Sequence, residues 1–123
     1  MTKVGEHITL DILGTTKEYE PKFFEKLVYK IAKKAKVTVL EISKYKFEPQ
    51  GFTLVALLAE SHISFHTFPE KGIISFDFFT CGKINPIVAL EVLKKKLVIK
   101  ELLKKNLIGI QFLIMMTFIA VQD

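Results

Sequence analysis

The segment 52–79 limits the fold more than any other part of the chain. It holds three runs, 52–59, 61–68 and 73–79, rich in apolar, aromatic and β-branched residues, and each reads as a strand. One residue separates the first two runs, while Pro69-Glu70-Lys71-Gly72 joins the last two as a four-residue hairpin connection. Connections this short cannot carry a parallel crossover, so the strands meander antiparallel. With the second connection closed, residue 68 faces residue 73, and the same register carries Ser61 to the neighbourhood of Thr80 and Cys81.

The flanking segments supply a second layer. Residues 7–13 read as a strand ended by Gly14-Thr15-Thr16. Phe23, Phe24, Leu27, Ile31 and Ala35 then recur at helical spacing, which predicts an amphipathic helix over 21–35 beginning at Pro21. A further strand opens at Val37-Thr38-Val39 and runs out through 44–47, before Pro49 and Gly51. Pro86 introduces a second amphipathic helix over 87–103. At 123 residues one domain is expected, an α+β two-layer sandwich whose antiparallel sheet carries the helices on one face. The other face is apolar in places, which points to a homodimer that buries it.

Charge narrows the partners. All 18 basic residues are lysine, in a chain of formal net charge +5. Without arginine there is no bidentate clamp for phosphate or guanine, and the lysine runs at 30–36 and 94–105 suit the wet faces of two helices, so no nucleic-acid partner is expected. Cys81 is the sole cysteine and cannot form an internal disulfide; the N-terminus has no apolar secretory run, so a cytoplasmic location is expected. Residues 107–121 are almost wholly apolar, but 15 residues interrupted by Gln111 fall short of the ~20 a spanning helix needs. They are expected to form a buried strand pair or an oligomer contact, with no membrane partner.

A hydroxyl, a thiol and two histidines gather around one hairpin. His62 and His66 share a strand face and with Cys81 could ligate a metal, but no fourth ligand stands at a recognisable spacing, and no metal is expected. Taken singly, Cys81 reads equally as a small buried cysteine, Phe47 and Phe68 as core aromatics and Glu70 as a turn residue.

Together these residues say more. The stretch Glu60-Ser61-His62-Ile63-Ser64-Phe65-His66-Thr67-Phe68-Pro69-Glu70, followed by Phe79-Thr80-Cys81-Gly82, resembles the signature of the prokaryotic S-adenosylmethionine decarboxylase proenzymes. Gly5, His7, Phe47, Pro49 and Gly51 extend the resemblance over roughly residues 4–96. It implies a precursor in which Ser61 attacks the Glu60 carbonyl; acyl shift, β-elimination and hydrolysis then leave chains 1–60 and 61–123, the second headed by a pyruvoyl group. That group, rather than PLP or a metal, would form a Schiff base with the substrate amine and act as electron sink. By the same resemblance His66 is the processing base, Cys81 the acid that protonates the product carbon, Phe47 the adenine stack and Glu70 the partner of the ribose hydroxyls. Thr53 stands where such enzymes usually carry a serine that assists processing, and Phe68 where tryptophan is common.

The implied function is decarboxylation of S-adenosylmethionine to the aminopropyl donor for spermidine synthesis, by a homodimer of cleaved protomers. Two alternatives share the motif: arginine or ornithine decarboxylation by the same pyruvoyl chemistry, and an uncleaved, non-enzymatic regulatory subunit. One geometric demand stands out. Ser61 and His66 are five apart, so an ideal strand points them to opposite faces, roughly 16 Å apart along it.

Overall fold

A computed structural model describes residues 5–15, 19–81, 84–97 and the backbone of 101–108. In chain order the elements are β1 (Gly5–Leu13), α1 (Pro21–Ala35), β2 (Val39–Lys46), β3 (Phe52–Leu58), β4 (Ser61–Phe68), a short 3-10 turn (Pro69–Lys71), β5 (Ile73–Cys81), α2 (Val88–Lys96) and β6 (Glu101–Ile108). The six strands form one sheet of order β2-β3-β4-β5-β1-β6, antiparallel throughout. The expected meander is β2 to β5; β1 returns to pair with β5, and β6 covers the other edge of β1.

Alternation of side chains along each strand builds the core. Ile8, Leu10 and Ile12 of β1, Leu54, Ala56 and Leu58 of β3, Ile63 and Phe65 of β4, and Ile74, Phe76 and Phe78 of β5 are all buried on one face. Against this face α1 lays Phe24, Leu27, Val28 and Ile31, and α2 lays Ala89 and Leu93. Phe24 is the central contact, its ring 5.1 Å from that of Phe52 and 4.8 Å from that of Phe65. Pro21 starts α1 without forfeiting a needed donor, and Lys36 ends it in a left-handed conformation whose backbone caps the last carbonyls. The two-layer α+β sandwich follows, with both helices on one face of the sheet.

The second helix is shorter than its sequence suggests. α2 stops at Lys96, Leu97 is already extended, and residues 101–103, expected to be helical, lie in β6. The apolar periodicity of 87–103 is compatible with either state over so short a run. What decides it is the edge of β1, whose free N–H and C=O groups gain a full ladder of partners from Glu101↔Leu13 to Ile108↔Glu6. Lys94, Lys95 and Lys96 crowd the last turn of α2, where cations favour the helix end, whereas Lys104 and Lys105 belong to β6, not to a helix face. Beyond Ile108, the expectations for 107–121 lie outside the described residues. Among the described residues no helix is long and apolar enough to cross a membrane.

Candidate active site

The register fixes which residues can meet. Phe68 faces Ile73 and His62 faces Phe79, as the hairpin reading requires, so Ser61 at the head of β4 lies beside Thr80. No bulge interrupts β4 against either neighbour. Ser61 therefore falls on the inner face with Ile63 and Phe65, and His66 on the outer face with His62 and Ser64. The structure does not bring Ser61 and His66 together within the chain: five strand residues keep them roughly 16 Å apart and on opposite faces.

The site residues instead fall into two groups. At one end of the outer face Phe47, Thr53, His66, Phe68 and Glu70 line a cavity of about 200 Å³. Thr53 faces His66 across the ladder, and its Oγ1 lies 3.0 Å from Nδ1 of the imidazole. The extra methyl of threonine thus leaves this contact intact. Phe47 is brought over the cavity by a tight return of the chain, its N–H donating to the Gly51 carbonyl at 2.8 Å. Gly51 has φ of +88°, and a Cβ there would meet the Thr67 carbonyl oxygen at 2.9 Å, so only glycine suits the turn.

At the other end lie Glu60, Ser61 and Cys81. β3 and β4 are joined through Ala59 and Glu60 alone, and Glu60 takes φ of +61°, a conformation that costs a side-chain-bearing residue roughly 1–2 kcal/mol. The next residue, Ser61, is buried, and its Oγ has no hydrogen-bond partner among the described residues. Beside it Thr80 is fully buried, its hydroxyl donating to the Ile84 carbonyl at 2.8 Å. Cys81 is half-buried at the end of β5, opposite Gly5. A Cβ on Gly5 would sit 2.1 Å from the Thr80 carbonyl oxygen, which explains a glycine at that position.

Between the two groups lies a polar cluster that sequence reasoning missed. Asp77 Oδ2 lies 2.6 Å from Nε2 of His7 and 2.9 Å from Nε2 of His62, and its Oδ1 accepts a hydrogen bond from Ser64. Phe79 separates the two imidazoles in the register and packs against both rings. Burial alone would raise the Asp77 pKa, but the hydrogen bonds from His7, Ser64 and His62 outweigh it and lower it to about 2. His62 thus groups with His7 and Asp77, not with His66 and Cys81. The signal was present: Asp77 is the only charge in β5, and the hairpin register sets it opposite Ser64.

A buried hydroxyl with no partner among the described residues, next to a left-handed residue, shares one α+β sheet with a thiol and an imidazole, the kinds of group that acyl and proton transfer use. The comparisons make this specific. Residues 6–107 match the profile of S-adenosylmethionine decarboxylase. The chain is 40% identical over 96 residues to an S-adenosylmethionine decarboxylase proenzyme of Symbiobacterium thermophilum, covering 76% of this chain and 73% of that one. It is 41% identical over 97 residues to the proenzyme so named from Prochlorococcus marinus, covering 76% and 78%. A crystal structure of the adenosylmethionine decarboxylase from Aquifex aeolicus superposes with a TM-score of 0.79 at 32% identity, covering 89% of this chain and 94% of that one. The chain belongs to the S-adenosylmethionine decarboxylase family, whose members are carbon–carbon lyases.

Proposed function

We propose that this chain cleaves itself between Glu60 and Ser61, carries the resulting pyruvoyl group on residue 61, and decarboxylates S-adenosylmethionine as a cytoplasmic homodimer. The observation that carries the reading is Ser61: its Oγ is buried and without a partner among the described residues, directly behind the left-handed Glu60. The relatives' description as proenzymes supports a processed product.

Cleavage needs only groups of two copies of the chain and one water. Ser61 Oγ adds to the Glu60 carbonyl carbon, the C–N bond breaks, and the Glu60 acyl group moves to oxygen, freeing the amine. A base removes the Ser61 α-proton, Glu60 leaves as a carboxylate, and water replaces the nitrogen of the dehydrated residue, releasing ammonia. His66 suits the base: with Nδ1–H donating to Thr53, its Nε2 lone pair is open. An unpartnered, buried hydroxyl fits the conversion, because no hydrogen bond must be broken before attack. The pyruvoyl carbonyl, once made, supplies the electron sink for loss of the substrate carboxylate. Cys81 is set to return a proton to the product carbon, and cleavage turns residue 61 into a free strand end able to swing towards it. Phe47 offers a half-exposed ring for adenine and Glu70 a carboxylate for the ribose hydroxyls around the same cavity.

The division of the site supports the dimer. Ser61 and Cys81 lie at one end, and Phe47, Thr53, His66 and Glu70 at the other, so a complete site needs the first group from one chain and the second from its partner. Val55 and Leu57 expose apolar surface on the outer face between the ends, and Tyr45 extends it beside Thr53, a surface that pairing two sheets would cover. Carbon dioxide release from carboxyl-labelled S-adenosylmethionine, arginine and ornithine tests the substrate. Release from S-adenosylmethionine alone is expected; release only from a basic amino acid overturns the assignment.

A further inference from the structure

The His7, His62 and Asp77 cluster takes no part in the chemistry above, yet its three side chains converge on one carboxylate oxygen. Its three members come from three adjacent strands, β1, β4 and β5. One ligand atom of each lies within 4.8 Å of the other two. Both imidazoles direct Nε2 at the same carboxylate oxygen, at 2.6 and 2.9 Å.

We propose that His7, His62 and Asp77 form a binding site for a divalent transition-metal cation of the zinc class. Two imidazole nitrogens and one carboxylate oxygen are the ligand set such ions accept, leaving a further coordination position for water. Tetrahedral zinc at ~2.0–2.1 Å from each ligand holds those atoms about 3.3 Å apart. The two nitrogen–oxygen distances need open by well under an ångström to admit the ion, and the two imidazole nitrogens lie no more than 4.8 Å apart.

The surroundings fit this use. Ser64 holds the second carboxylate oxygen and Phe79 packs against both rings, the kind of support that fixes ligand orientation in metal sites. A cavity of about 320 Å³, lined by Thr9, Asp11, Ser64, His66, Ser75 and Asp77 among others, opens on the Asp77 side of the cluster. Cys81 and His66 are not members of the cluster.

Such a site has a structural consequence that rests on the cleavage reading, whereas metal binding itself does not. His7 belongs to segment 1–60, and His62 and Asp77 to segment 61–123. One ion would therefore tie the two products of cleavage across the sheet.

The test uses untagged, purified protein stripped with a chelator and then titrated with Zn(II) or Co(II) alone. We expect one equivalent per chain, Co(II) visible bands without a thiolate charge-transfer band, and a rise in melting temperature on adding Zn(II). His7→Ala and Asp77→Asn should each weaken binding at least roughly tenfold and abolish the melting shift, while Cys81→Ser should keep both. His7→Gln serves as the milder variant should Ala or Asn fail to fold. Absence of stoichiometric binding by the parent overturns the site, as does binding that survives in the folded His7 and Asp77 variants or is lost in Cys81→Ser. Precursor and cleaved protein are titrated separately, so failure of cleavage is scored independently by mass.

Discussion

Thr53 and His66 meet across β3 and β4 with 3.0 Å between hydroxyl and ring nitrogen. If this contact sets the imidazole tautomer for processing, Thr53→Ala should slow conversion of the precursor by roughly tenfold, part of the range a positioned base contributes. Thr53→Ser should convert near the parent rate. Precursor disappearance on denaturing gels measures both, and equal rates for all three proteins would remove Thr53 from the process. Asp77 offers a pH signature. Its carboxyl pKa is held down to about 2 from 3.8, so its contribution to stability is complete above the unfolded value and is lost as pH falls through the folded one. Chelator-treated parent protein should therefore lose up to about 2 kcal/mol between pH ~4 and ~2 in urea titrations, and Asp77→Asn should lack that increment. The family motif points to Ser61, His66 and Cys81; the hairpin register could place Asp77 opposite Ser64, but not beside His7, which is 70 residues away and meets it only through the β1–β5 pairing.

At the scale of elements, what the sequence revealed depended on period and punctuation. α1 was legible to the residue, because Pro21 marks its start and Phe24, Leu27 and Ile31 repeat at helical spacing. β4 was equally legible, bounded by a turn on each side. The end of α2 was not, since an apolar run interrupted by lysines satisfies both a helix and an edge strand until the free edge of β1 is known. The joint between layers is α1 on the sheet, and Phe24 is its fullest contact, touching Phe52 and Phe65 with no exposure. Phe24→Ala should cost about 3–5 kcal/mol in denaturant unfolding of the non-cleaving Ser61→Ala protein. A cost below about 1 kcal/mol would mean that the helix is not seated on the sheet as described.

In the whole molecule, the candidate site residues gather at the two ends of one sheet, on its strands and, for Phe47, Glu60 and Glu70, on the connections beside them. Sequence could show that Ser61 and His66 point apart; it could not show that no bulge corrects this, because register irregularities arise from tertiary pairing. Composite sites between two chains make a quantitative prediction. Co-expression of Cys81→Ser with Glu70→Ala, each inactive alone, should restore about a quarter of parent activity, because random pairing makes half of the dimers mixed and each mixed dimer has one whole site. No recovery in verified mixed dimers would mean that each chain builds its own site. Self-cleavage at Glu60-Ser61 is read from the intact mass of the purified protein. Two fragments of 60 and 63 residues are expected from the 123-residue chain, together heavier than the precursor by one water and lighter by one ammonia, with a ketone on the second. The Ser61→Ala protein should remain whole. A parent chain that stays at 14.1 kDa under conditions where it is folded, or fragments divided elsewhere, would contradict it.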